Sequence, residues 1–386
     1  MAGFSRRSVP LDIRERLAPD ENGVRALLDE LRHIGSHGFV LTTCHRLELY
    51  WWGEADGEGV LRRWIDARHI GSMVPLTRRQ ADTAVRHLFA VTAGLDSEVL
   101  GEQEVQGQVR RAWRLAQAHG ATNPELDELV VAALGCGRRV RRAAGFLAAT
   151  DSVARRAVMA VLRPGGTRVE ARCLVVGAGE VGRGVVDALR AAGAPHVEIV
   201  NRTSATGRTL AESREATWTP WEKLDDALRR ADVVFVTTAA PAPVLHASRV
   251  AAAVAGGHAL TVIDLAMPRN VDPDCRHVPG ITLIDLDALG RQAVGADQVP
   301  PAMLEAAERT LQDELARYSA TLNGRAAAAR LTELHQLGRR VAEEELQRTL
   351  AELGRLKADE VELLRAMADR VARRILYPAS RALRGA

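Results

Sequence analysis

Cys44 stands in the run Thr42-Thr43-Cys44-His45-Arg46, with two hydroxyls before it and two residues able to carry positive charge after it. Positive charge favours the thiolate, and the thiolate is the nucleophile. Cys136, Cys173 and Cys275 lack such neighbours, and Cys173 opens an apolar run that reads as a core strand. A second chemical element lies further along. Gly177-Ala178-Gly179-Glu180-Val181-Gly182 spells GxGxxG directly after CLVV and at a helix start. There the first glycine makes a tight turn, the second admits a pyrophosphate, and the third packs helix on strand. The free N–H groups of the helix start then face the phosphates. Roughly 20 residues on, where a carboxylate would receive a ribose 2′-hydroxyl, the sequence has Asn201-Arg202-Thr203. A guanidinium there suits a 2′-phosphate, so NADPH is expected rather than NADH.

An activated thiol and a nicotinamide site in one chain are the pairing needed to reduce an acyl group. The thiol captures the acyl group, its leaving group departs, and hydride reaches the thioester carbonyl. No metal is expected, because the four cysteines form no CxxC pair and no ligand spacing. On residue chemistry alone Cys44 reads equally as a nucleophile or as a buried spectator.

The elements that position these groups follow from pattern. At about 150 residues per domain, 386 residues make two or three domains. With 47% apolar and 26% charged residues, wholesale disorder, collagen and a disulfide-stapled miniprotein are excluded. A net charge of +3 announces no nucleic-acid binder by itself. The absence of a signal-like apolar core and of any long apolar run predicts a cytoplasmic, reduced chain with no membrane span. Residues 1–150 carry the β-rich runs FVLTTC and LELYWW around Cys44, then an amphipathic helix on Val105, Val109, Ala112, Trp113 and Ala116. This reads as an α+β catalytic domain. Pro164, Gly165 and Gly166 mark a connection. Residues 151–298 then alternate strand runs with helical segments, the pattern of a parallel α/β sheet. Residues 299–386 lose strands altogether and predict helices over 301–323, 325–353 and 357–376, which read as a dimerisation or docking module or as a helical lid on the same monomer.

TTCHRLELY, RHLFAVTAGLDSEVLGEQEVQGQV, GAGEVG, NRT and IDLAMPRNVDP occur in this order. Together they resemble the glutamyl-tRNA reductase family, whose pattern runs approximately STCNRTEIY, HLFxVAxGLDSxVxGExQILGQV, GAGxxG, NRT and IDxAxPRDIDP. The resemblance spans roughly residues 1–320 and implies a Rossmann NADPH domain between a catalytic domain and a helical dimerisation domain. It implies glutamyl-tRNA as substrate, glutamate-1-semialdehyde as product, and the first step toward 5-aminolevulinate and tetrapyrroles. It also implies a homodimer through the C-terminal helices, and a downstream aminomutase as the partner that takes the product. Cys44 would form the thioester, His87 would orient the thiol or move protons, and Arg46 would pair with the substrate's side-chain carboxylate. Thr43, His45, Ser97, Glu102, Gln103, Glu104 and Gln108 fall on the positions around the substrate.

Some of these positions have a plain structural reading as well. His87 reads as a core histidine, Ser97 as a helix N-cap, and Arg138, Arg139, Arg141 and Arg142 as either phosphate contacts or a solvated helix face. The chain also departs from the pattern. His45 replaces an Asn and offers a charge that could activate the thiol; Gln103-Glu104 replaces Pro-Gln, and Gln106 replaces an apolar residue. Two other functions compete: a diverged paralogue reducing a different aminoacyl or acyl substrate, and a non-catalytic protein that binds charged tRNA. A shikimate dehydrogenase reading explains only residues 172–290 and leaves TTCHR without a task.

Overall fold

The computed structural model describes residues 1–70, 74–97, 100–146, 152–162, 170–292, 300–354 and 356–384. They fall into two compact units, Met1–Leu311 and Gln312–Ala386. The expected connection at Pro164–Gly166 lies outside the described residues.

The first unit opens with β1 (Ala2–Ser5), α1 (Leu11–Leu17), α2 (Glu21–His33), β2 (His37–Thr42), β3 (Arg46–Trp52), α3 (Gly57–Asp66) and β4 (Thr77–Arg78). α4 (Ala81–Ala93), α5 (Glu104–Ala118), α6 (Pro124–Ala143) and α7 (Val153–Val161) follow. The strands make an antiparallel sheet in the order β2-β3-β1-β4, so the two β-rich runs around Cys44 are its hairpin. β1 carries no alternating pattern and is held in place by pairing, Ala2 to Ser5 against Leu49 to Arg46. α5 buries Val105, Val109 and Ala116, the face that its periodicity marks as apolar. α6 starts at a conventional signal: Asn123 accepts the Leu126 amide and Pro124 occupies the first turn.

A second sheet is built from β5 (Cys173–Val176), α8 (Glu180–Ala191), β6 (Val197–Asn201), α9 (Ser204–Ser213), β7 (Thr217–Pro220), α10 (Leu224–Arg230), β8 (Val233–Val236), α11 (Ala247–Val254), β9 (Leu260–Asp264), β10 (Ile281–Ile284) and α12 (Leu286–Gln292). All pairings are parallel and the order is β10-β9-β8-β5-β6-β7. Numbered within this sheet, that is the doubly wound Rossmann order, whose switch point lies between the first and fourth strands, here β5 and β8. Strand β7 was not expected from the sequence; its Pro220 is tolerated because the strand is an edge. α1 is fastened to this half by Asp287 of α12, which accepts the Leu11 amide at 3.1 Å and pairs with the buried Arg14. Glu15 of α1 pairs in the same way with Arg269, Nε to Oε2 2.9 Å.

The chain ends in α13 (Pro301–Leu353) and α14 (Ala358–Arg384). The expectation of three helices is corrected: 301–323 and 325–353 are one helix, because a single glycine such as Gly324 costs only about 1 kcal/mol and cannot by itself break a helix. In the second unit Leu363, Met367, Val371 and Ile375, spaced by four on α14, are exposed. No helix among the described residues is long and apolar enough to cross a membrane.

Candidate active site

Thr43, Cys44 and His45 connect β2 to β3, with the Thr43 amide donating to the Arg46 carbonyl at 2.9 Å. Thr43 Oγ1 accepts the His45 amide at 3.1 Å, and the Cys44 carbonyl accepts from Arg14. Cys44 is half-buried, whereas the other three cysteines are buried and none is in a disulfide. Burial and the charge of Asp232 push the Cys173 thiol up to about 12. Burial with Asp272 and Asp274 pushes Cys275 to about 11. The idea that His45 brings positive charge to the thiol is corrected. Burial, followed by the charges of Arg14, Arg6, Arg46 and Arg156, holds its imidazole down at about 3 and therefore neutral. The positive field around the turn comes from those guanidiniums.

Beneath the loop lies a buried polar cluster. Arg46 Nη1 donates to Glu48 Oε1 at 2.9 Å and to Asp96 Oδ2 at 3.0 Å. Tyr50 Oη donates to Glu48 Oε2 at 2.7 Å, and His87 Nε2 lies 2.9 Å from Glu48 Oε1. Burial alone would raise the Glu48 carboxyl, but Arg46, with His87 and Tyr50, outweighs it and holds the group at about 2. Glu48, His87 and Asp96 have the composition of a metal site, yet the cation between the two carboxylates is the Arg46 guanidinium. His87 stacks near Tyr50, ring centroids 6.4 Å apart, and lines none of the cavities described below.

The glycine turn has the shape its spacing demands. Gly177 sits at φ +115°, and a Cβ on Gly182 would lie 2.2 Å from the Gly177 carbonyl oxygen, so α8 approaches the strand end too closely for any side chain. A Cβ on Gly179 would meet nothing within 4 Å, leaving the cradle open above the helix start. Asn201 buttresses the turn, its Oδ1 accepting the Ala178 amide at 3.1 Å and its Nδ2 donating to the Thr203 carbonyl at 2.8 Å. Asp264, buried at the end of β9, shapes the far wall: it accepts the amides of Ala266, Asn270 and Val271 at 2.8–3.0 Å. Burial outweighs those three bonds and raises its carboxyl to about 6.

Three cavities show which expected residues meet. One of about 40 Å³ is lined by Thr43, Cys44, His45, Arg46, Ser97, Glu102, Glu104 and Gln108, together with Val105, Val153, Val181, Leu265 and Leu286. A second, about 510 Å³, brings Cys44, Glu104 and Gln108 to Gly177, Ala178, Gly179, Glu180, Val181, Asn201, Arg202 and Thr203. Thr237 and Thr238, just past β8, line it as well, which puts it at the switch point of the sheet. The third, about 710 Å³, runs between α5, α6, α7 and α8 and is lined by Arg110, Arg138, Arg139, Arg141 and Arg142. Gln103 lines only this third cavity, not the one around the thiol, and Gly182 is a packing residue that lines none. Ser97 caps no helix, since the next one begins at Glu104. Within the basic cluster Arg141 is buried, donating to the Thr92 carbonyl at 2.8 Å and to Gln106. The unusual Gln106 is thereby satisfied.

Glu48, Asp96, Arg14 and Asp264 were not singled out in the sequence. The one available signal was an acid inside an apolar strand run, as in LELYWW and LTVIDLA, which must find a partner when buried.

A Rossmann sheet whose glycine turn opens into a cavity at the switch point defines an oxidoreductase of the dinucleotide-binding class, and a hairpin thiol lines the same cavity. Residues 2–144 match the family model for the N-terminal domain of glutamyl-tRNAGlu reductase, 163–292 that for shikimate/quinate 5-dehydrogenase, and 306–386 that for the glutamyl-tRNAGlu reductase dimerisation domain. The chain is 36% identical to glutamyl-tRNA reductase of Thermomicrobium roseum, covering 99% of this chain and 94% of the relative. It is 38% identical to that of Deinococcus radiodurans over 83% and 93%. A solved glutamyl-tRNA reductase from Methanopyrus kandleri aligns over 99% of this chain and 97% of its own, at 26% identity and a TM-score of 0.48. The chain belongs to the glutamyl-tRNA reductase family.

Proposed function

We propose that the protein reduces glutamyl-tRNA to glutamate-1-semialdehyde through a thioester on Cys44, at the entry to tetrapyrrole synthesis. The observation that carries the reading is that Cys44 lines the same cavity as the glycine turn and Arg202. Two chemical groups more than 130 residues apart are thus held in one space, as acyl capture followed by hydride delivery requires. Relatives bearing the glutamyl-tRNA reductase name over almost the whole length favour this acyl group over another one.

The chain's own residues divide the work. The Cys44 thiolate attacks the ester carbonyl, forming C–S and releasing the ribose oxygen of the tRNA. Arg46, held still by Glu48 and Asp96, takes the side-chain carboxylate of the glutamyl group. Thr43, Ser97, Glu102 and Gln108 frame the acyl group, and His87 acts from below by fixing Glu48. Gln103 stands at the edge of the arginine-lined cavity, where Arg138, Arg139 and Arg142 meet tRNA phosphates. The open Gly179 cradle fits a pyrophosphate, with Arg202 beside it for a 2′-phosphate, and these residues would hold NADPH. Bound there, NADPH supplies the hydride that turns the thioester into an aldehyde. Three domains, 1–150, 151–298 and 299–386, carry catalysis, cofactor binding and homodimerisation, the last through the apolar stripe of α14.

Single-turnover NADPH oxidation with glutamyl-tRNA, beside Cys44→Ser and a panel of other charged tRNAs, tests the reading. Aldehyde from glutamyl-tRNA alone, reduced about a thousandfold or more in the mutant, is expected. Turnover with a different aminoacyl-tRNA would overturn the acyl assignment. Tight dinucleotide binding with no oxidation by any charged tRNA would leave a binding protein.

A further inference from the structure

Acyl transfer to a thiolate needs one group not yet assigned, because the ribose oxygen that leaves must receive a proton. Its position is constrained. The acyl group lies in the cavity around Cys44 and the nucleic acid extends toward the arginine-lined cavity, so the departing oxygen lies where these spaces meet. Among the described residues only Glu104 and Val181 line both of these cavities and the dinucleotide cavity as well. Of the two, Glu104 alone has a side chain that can donate a proton.

We propose that Glu104 is the catalytic residue that protonates the ribose oxygen expelled when Cys44 takes the acyl group. The inference rests on the acyl-transfer reading above. In the step the C–S bond forms, the C–O bond breaks with its electron pair going to the ribose oxygen, and the Glu104 proton goes to that oxygen. The products are the thioester, a tRNA with its terminal hydroxyl restored, and a Glu104 carboxylate that regains its proton from water. Nothing is oxidised or reduced.

The surroundings favour the protonated form. Burial, and then the negative charge of Glu180, raise the Glu104 carboxyl above the usual carboxylate range, while Arg111 opposes them. Glu180 of α8 is itself tied to Arg111 of α5 at 3.2 Å, which moderates both influences. The other charged groups facing this junction are Glu102 and Arg46 from the thiol cavity, Arg202 across the dinucleotide cavity, and Arg110 with the α6 arginines along the third. Glu102 lines the thiol cavity alone and has no access to the outgoing chain. In the family pattern Gln stands at the position of Glu104, so the donor is a property of this chain.

The test is rapid-quench transfer of labelled glutamate from its tRNA to the protein without dinucleotide, followed across pH. In the unaltered protein the rate should pass through a maximum with pH, because transfer needs Cys44 as the thiolate and Glu104 with its proton. Glu104→Gln should be slower by about a hundredfold at the optimum and lose the fall at higher pH. Glu180→Gln should move the maximum to lower pH, because a neighbouring negative charge has gone; this readout stands even if Glu104→Gln fails to fold. A Glu104→Gln protein that keeps the fall, or a Glu180→Gln protein in which the maximum does not move, overturns the assignment. If the unaltered protein transfers no glutamate to Cys44, the acyl-transfer reading itself is lost and this inference goes with it.

Discussion

Arg46 and Glu48, two residues apart on β3, face the same side of the strand and form an ion pair 2.9 Å long with both side chains 4% exposed. A pair this deeply buried stabilises less by its attraction than it costs to break, because the survivor is left charged in a poor solvent. Glu48→Gln should therefore lower the stability of the first unit by about 3 kcal/mol, read as a fall in the urea midpoint. The pH sign follows from the depressed carboxyl. Its contribution is full above the ordinary carboxylate value of 4.5 and is lost as pH falls through about 2. An unchanged midpoint in Glu48→Gln would mean that Asp96 alone suffices to hold Arg46.

Asp264 has the opposite sign. Its carboxyl is raised from 3.8 to about 6, so its contribution is full below the lower value and is lost as pH rises through the upper one. At about 1.4 kcal/mol per unit, the loss approaches about 3 kcal/mol. Compared with Asp264→Asn, the urea midpoint of the unaltered protein should decline over this window. Parallel pH curves for the two proteins would show that the group does not titrate there.

Burial and the neighbouring guanidiniums hold His45 down at about 3, so near neutral pH it is uncharged and does not tune the thiol by charge. His45→Asn, which installs the residue of the family pattern, should leave the pH dependence of Cys44 alkylation by iodoacetamide where it was. A shift of that curve toward higher pH in the mutant would restore the imidazole as the activating charge.

Arg202 lines the dinucleotide cavity with no acidic residue at Asn201 or Thr203 beside it. Arg202→Ala should weaken NADPH by about tenfold or more, the worth of a charge-assisted phosphate contact. NADH should change little. Fluorescence titration of both cofactors gives the ratio, and equal losses would mean that Arg202 reads the shared part of the dinucleotide.

Contiguous signals were legible. The hairpin runs around Cys44, the glycine turn, the NRT segment and the strand–helix alternation each place their residues through neighbours a few positions away, and the folded chain keeps them there. Short or irregular elements were not. β1 exists because β3 offers it partners, and β7 because an edge accepts a strand ending in Pro220. The length of α13 also escaped the pattern, since one glycine looks like a break and costs too little to be one.

By itself the sequence determined that a thiol flanked by cationic residues and a dinucleotide turn occupy one chain, and in what kinds of element. Only tertiary structure decided what those groups touch. His87 belongs to Glu48, and His45 is held uncharged near neutral pH by burial and by four guanidiniums, of which only Arg46 is its neighbour in sequence; no spacing rule encodes burial. Arg14 reaches Asp287, 273 residues away, to hold α1 against the Rossmann half. The junction that gives Glu104 its place exists only where α5, α8 and the Cys44 loop converge, since a cavity belongs to the packing of several elements and to no segment of the chain.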